Sequence, residues 1–171
     1  MKLKGKVAIV TAASSDRGSA IAELLASEGA SVTINYFKNR KSAESVLKRI
    51  ENRGGKAMVK QADVTVKASV NKMVKETVRK FGSIDILVNN AHGTIRRKAL
   101  EATVWNEFTE NLNGAIKGAH NCCLAVISEM QKKKWGSIIN IMDNIVNEPV
   151  KAYTCHITAQ SALVGLTRSL A

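Results

Sequence analysis

The chain reads as an α/β protein, a doubly wound parallel sheet forming a single domain over residues 1–171. Three observations predict that class. Short β-branched runs recur along the chain, amphipathic stretches of helical period separate them, and no linker, internal repeat or low-complexity segment interrupts the alternation. A chain of 171 residues that is 45% hydrophobic has enough apolar side chain for one core of ordinary size.

The strands are VAIVT (7–11), SVTIN (31–35), AMVKQ (57–61), IDILVN (84–89) and SIINI (137–141). Between them, AIAELLASEG is a helix closed by Gly29, SAESVLKRIENRGG one closed by Gly54, and SVNKMVKETVRKFG one closed by Gly82, since glycine takes the left-handed position past a helix end. Long helical patterns also cover 103–132 and 155–171, and the only proline, Pro149, falls in a loop. In such a sheet ligands bind beyond the carboxyl ends of the strands. The segments after Thr11, Asn35, Asn89 and Ile141 therefore face the binding edge. QKKKW (131–135) leads into a strand on the opposite edge, where its cations suit a helix C-terminus.

Lys and Arg number 26 against 14 Asp and Glu, a net charge of +12, which favours acidic partners. The basic residues are spread over helix faces, with neither zinc-finger spacing nor aromatic-rich strands, so nucleic acid is not the expected partner. Three cysteines make neither a disulfide framework nor a metal set, so no metal is expected. The apolar run at the N-terminus is too short for a signal peptide or a membrane span, and the expected location is the cytoplasm.

TAASSDRGSAIA after the first strand, ADV (62–64), LVNNA (87–91), NLNG (111–114) and GSIINI (136–141) stand in the order and spacing of the short-chain dehydrogenases/reductases, which the chain resembles along its whole length. The resemblance implies a Rossmann-like sheet truncated after the fifth strand and its following helix. It also implies a nicotinamide dinucleotide cofactor and homo-oligomers formed through the helices over 103–132 and 155–171. The substrate it implies is a small molecule or a carrier-linked acyl group, with an acidic acyl carrier protein as partner.

Thr11, Ala12, Ser14, Asp16 and Gly18 occupy the family's glycine-loop positions, with Ala12 and Asp16 where that pattern has glycine. Ala12 is a mild change if its φ stays negative. Asp16 puts a carboxylate where a diphosphate would meet the helix N-terminus, and Ser14, Ser15 and Asp16 also read simply as helix caps. No acid follows the second strand to hold ribose hydroxyls. Lys38 and Arg40 instead suit a 2′-phosphate, which favours NADP(H) over NAD(H). Asp63 and Val64 resemble the adenine-contacting stretch, and Asn89 and Ala91 the stretch lining the cofactor. His92 reads as a loop residue.

GLTRSLA at the C-terminus matches the end of the family's active-site helix and sets the register of the catalytic residues. Counting back puts Gln160 at the family's Lys, His156 at its Tyr and Asp143 at its Ser, so that only Asn111 survives of four. The longer Tyr-x6-Lys spacing of the enoyl-acyl-carrier-protein reductases lands on Tyr153 and Gln160. That second register makes an NADPH-dependent enoyl thioester reductase of fatty acid biosynthesis the leading expectation, with Tyr153 as donor to the enolate. A 3-oxoacyl reductase and an inactive pseudoenzyme are the alternatives.

Overall fold

The computed structural model describes residues 1–171. Strands β1 (Val7–Val10), β2 (Ser31–Tyr36), β3 (Lys56–Gln61), β4 (Ile86–Asn89) and β5 (Ser137–Asn140) alternate with helices α1 (Asp16–Ser27), α2 (Arg40–Asn52), α3 (Lys67–Phe81), α4 (Trp105–Leu112), α5 (Gly118–Lys132) and α6 (Thr154–Leu170). All four strand pairings are parallel and the order is β3-β2-β1-β4-β5. The order reverses between β1 and β4, which creates a crevice at their carboxyl ends.

Strands β1, β2 and β4 are buried on both faces, and their alternate residues feed two cores. Ala8, Val10, Val32, Ile34, Ile86 and Val88 pack against α1 and α2. Ile9 and Leu87 point the other way, to Val70, Met73, Cys122 and Val126 of α3 and α5. Each fully buried Ile or Leu contributes about 1.5–3 kcal/mol by leaving water. Gly29, Gly54 and Gly82 all have positive φ at helix ends, in agreement with the pattern.

The stretch expected as one helix over 103–132 is instead α4 and α5 joined by a π-helical turn, Asn113–Lys117. The cause is packing. A Cβ on Gly114 would lie 2.7 Å from the Cα of Gly93, so the loop after β4 sits directly on the helix backbone. At the other margin of the sheet β5 pairs only with β4; Ile139 stays 43% exposed, and its neighbour Ile138 lines an apolar groove with Ile127, Met130, Trp135 and Leu170.

Candidate functional site

Residues following β1 through β4 enclose a cleft of about 450 Å³ at the carboxyl edge. Five sequence-derived candidates line it: Ala12, Lys38, Asp63, Val64 and Ala91. His92, Gly93 and Thr94 line it too. The loop after β1 is fixed from below. Asn35 accepts a hydrogen bond from the Ala12 N–H (3.1 Å) and donates to the Ala62 carbonyl (3.1 Å), tying three strand ends together.

Thr11 is buried rather than ligand-facing. Its hydroxyl donates to the Val88 carbonyl and receives the N–H groups of Asn90 and Ala91. Ala12 corrects an expectation, because its φ is +48°. An L-residue in the left-handed region costs about 1–2 kcal/mol, which the glycine of the usual pattern would avoid. Gly18 obeys the pattern: a Cβ there would sit 2.5 Å from the Ala12 carbonyl oxygen and 2.7 Å from Asn90 Nδ2.

Ser15 is the cap of α1, its Oγ accepting from the Gly18 N–H at 3.2 Å. Ser14 is half-buried in the same loop. Asp16 begins the helix, exposed and without an ion pair, and it does not line the cleft. The N–H groups of Asp16 and Arg17 take no part in backbone bonding, so they stay available to an anion at the helix end.

Lys38 is exposed on the cleft rim. Arg40 is placed elsewhere, and this corrects the expectation that it acts with Lys38. Its guanidinium is bound to Glu44 at 2.7 Å, one helical turn on, and it lines separate hollows with Lys60 and Glu76. Asp63 Oδ1 accepts from both the N–H and the hydroxyl of Thr65, while Oδ2 has no partner. Asn89 is also misplaced by the sequence reading. It is buried between β4 and β5, its amide donating to Asn140 Oδ1 (2.8 Å) and Cys123 Sγ (3.6 Å), with its own oxygen unpaired.

The next residue, Asn90, ties the loop after β1 to Arg17 of α1. Its amide donates to the carbonyls of Thr11 and Ala12, and its oxygen accepts from Arg17 Nε at 2.8 Å. Neither Arg17 nor Asn90 stands out in the sequence. A charged residue in a first helical turn reads as solvated surface, and the second Asn of a pair gives no sign of which one faces the ligand.

Asp143 and His156 are brought together. Asp143 Oδ2 lies 2.5 Å from His156 Nε2, and Asp143 Oδ1 accepts from Arg17 Nη1 at 2.9 Å. Burial pushes the Asp143 carboxyl up, but the bonds from His156 and Arg17 outweigh it and hold the group below the usual carboxylate range. The His92 ring stands edge-on to His156, 6.3 Å between centroids. Gln160, one turn beyond His156, is 2% exposed and its Oε1 has no partner. Asn111 Oδ1 is likewise an unpaired buried acceptor, while its amide donates to the carbonyls of Glu107 and Thr94.

Tyr153 is the N-cap residue of α6, seven positions before Gln160 and half-buried, and its hydroxyl makes no hydrogen bond. The basic run Arg96–Lys98 after β4 is largely neutralised by α4, through Arg96 to Glu110 (2.7 Å) and Lys98 to Glu107 (2.8 Å). No helix is long and apolar enough to cross a membrane.

A sequence model of short chain dehydrogenases matches residues 6–171. The 3-oxoacyl-(acyl-carrier-protein) reductase FabG of Staphylococcus aureus is 35% identical over 168 residues, 97% of this chain and 67% of the relative. The enzyme of the same name from Staphylococcus epidermidis is 33% identical over 166 residues, 97% and 68% of the two chains. Among solved structures, NAD+-bound xylitol dehydrogenase superimposes with a TM-score of 0.95 at 29% identity, covering 100% of this chain and 65% of its own. A short-chain dehydrogenase/reductase double mutant from Serratia marcescens gives 0.91 at 32% identity, covering 100% and 69%. The chain thus spans about two thirds of the length of these relatives.

Proposed function

The chain belongs to the short-chain dehydrogenases, and from that premise we propose that it is the cofactor-holding part of an NADP(H)-dependent reductase of 3-oxoacyl thioesters, acting in fatty acid biosynthesis on an acyl group borne by an acidic carrier protein. The observation that carries this reading is the cleft of about 450 Å³ where the strand order reverses, with Lys38 on its rim and a free Asp63 oxygen within. The named reductases of Staphylococcus aureus and Staphylococcus epidermidis support reduction of a carbonyl, so the carbon–carbon double bond of the enoyl expectation gives way to it.

The bound cofactor supplies a hydride. This chain's residues do the rest. Lys38 meets a 2′-phosphate, Asp63 and Val64 hold the adenine, and the N–H groups of Asp16 and Arg17 face the diphosphate past Ala12, Ser14 and Gly18. Gln160 turns its amide to the ribose hydroxyls, whose own O–H groups suit the unpaired Oε1. His156 stands where the family has its Tyr, and Asp143 fixes its ring by binding Nε2, so Nδ1 is the nitrogen left to give a proton to the product alkoxide.

The test is NADPH consumption with an acetoacetyl or a crotonyl thioester. The acetoacetyl compound is expected to react, with a loss of about 10²- to 10⁴-fold in His156→Phe and little change in Tyr153→Phe. The reverse pattern, crotonyl reduction lost in Tyr153→Phe, returns the enoyl reading. Lys38→Ala is expected to erase the preference for NADPH over NADH. A second reading, a nucleotide-binding chain without turnover, is favoured by Gln160, which brings no cation to the site; it predicts binding of NADPH and consumption with neither thioester.

A further inference from the structure

A dinucleotide crossing this sheet starts over β1, β2 and β3, passes the N-terminus of α1, and lays its second half over the carboxyl ends of β4 and β5. The first half of that path is open, but the cleft ends at Ala91–Thr94. The second half is spanned by side chains. Arg17 leaves the N-terminus of α1, bonds Asn90 after β4 through Nε at 2.8 Å, and reaches Asp143 after β5 through Nη1 at 2.9 Å. Asp143 in turn holds His156 of α6 at 2.5 Å. None of these four residues lines the cleft.

We propose that the Arg17–Asp143 pair is a selectivity bar: the chain accepts an adenosine phosphate without rearrangement, and admits the nicotinamide half of a dinucleotide only by breaking that pair. The inference rests on the reading of the cleft as a nucleotide site. Its parts are fitted to the task. Arg17, in the first turn of α1, and Asp143, in the loop after β5, are 126 residues apart in sequence and meet only across the crevice. Their side chains are 40% and 30% exposed, so the pair is weak enough to open. Asp143 is the one acid that pairs with Arg17, while Glu107 and Glu110 are bound to Lys98 and Arg96.

Calorimetric titration of the whole chain with two probes, adenosine 2′,5′-bisphosphate and NADPH, tests this. Arg17→Ala and Asp143→Asn are each expected to tighten NADPH by about twofold to threefold relative to the bisphosphate, the gain released by losing one partly exposed pair. The double variant is expected to gain no more than either single one, because both changes remove the same interaction. The bisphosphate reads any general change in attraction for anions. That attraction should fall when Arg17 is lost and rise when Asp143 is neutralised, so a shared gain for NADPH is specific to the bar. Unchanged or weaker NADPH binding in Arg17→Ala, with the bisphosphate still bound, overturns the bar alone. Failure of every form to bind either probe overturns the nucleotide reading, and the bar with it.

Discussion

Two aspartates receive basic side chains at opposite edges of the same sheet, and they do different work. At the amino edge Asp85 is wholly buried and takes the Val7 N–H (2.9 Å), the Ser83 hydroxyl (3.1 Å) and Lys133 Nζ (2.5 Å). Its backbone continues the ladder, the N–H donating to the Val7 carbonyl and the carbonyl accepting from Ser137. One residue thereby joins β1, β4 and β5. At the carboxyl edge Asp143 is partly exposed, and its carboxylate bonds only side chains, Arg17 and the buried His156. A carboxylate sealed under strand ends anchors the sheet, whereas one whose cation can turn away to solvent is placed to be rearranged.

Removing the amino-edge anchor is the most forceful way to test that division. Asp85→Ala should cost about 2–3 kcal/mol, since it orphans a buried N–H and unpairs Lys133, which is exposed enough to rehydrate. Urea unfolding reads the loss, and nucleotide affinity is expected to persist in whatever remains folded. The same residue shapes the acid limb. Burial raises the Asp85 carboxyl, but the bonds from Lys133, the Val7 N–H and Ser83 outweigh it and hold the group below the ordinary range. A depressed folded value contributes stability that is present above about pH 4, the unfolded value, and is lost as pH falls through the lower folded one. In Asp85→Asn that part of the pH dependence should flatten. An unchanged acid limb would mean that the anchor carries no charge effect.

A smaller effect is expected at the other edge. Ala12→Gly relieves the positive φ but gives the unfolded chain more freedom, so the net gain is about 0.5–1 kcal/mol, readable as a higher midpoint in urea. A loss would show that the methyl group packs better than the backbone is strained. Least of all, Arg17→Ala should change stability by about 0.5 kcal/mol or less, because its pair with Asp143 is open to solvent and Asp143 keeps its bond to His156. Equal destabilisation by Asp85→Ala and Arg17→Ala would erase the distinction between the two edges.

The edges also differ in how far the sequence announces them. The sheet is legible, because buried parallel strands read as β-branched runs and Gly29, Gly54 and Gly82 mark helix ends by local chemistry. Cleft residues close to a motif, such as Asp63 and Ala91, are legible for the same reason. Long-range pairing is not. Asp85 meets a lysine 48 residues away and Asp143 an arginine 126 away, and neither residue signals its partner. Arg40 is the opposite case, since Glu44 stands four positions on, a spacing that favours an ion pair along the helix. Asn89 and Asn90 are adjacent and alike, and only the alternation of a strand, ending as it does at β4, turns one inward and the other to the loop.

The unpaired side of β5 bears on how copies of this chain behave in concentrated solution. Over residues 1–171 β5 has one free margin and an exposed Ile139, and such a margin is a template for another strand. The +12 charge works against that contact by keeping like molecules apart. Mobile ions shorten the reach of the repulsion to about 8 Å at physiological strength, while the attraction at the margin is indifferent to them. Salt is therefore expected to act on this chain as a colloidal destabiliser, the charge that favours acidic partners being also what keeps copies apart.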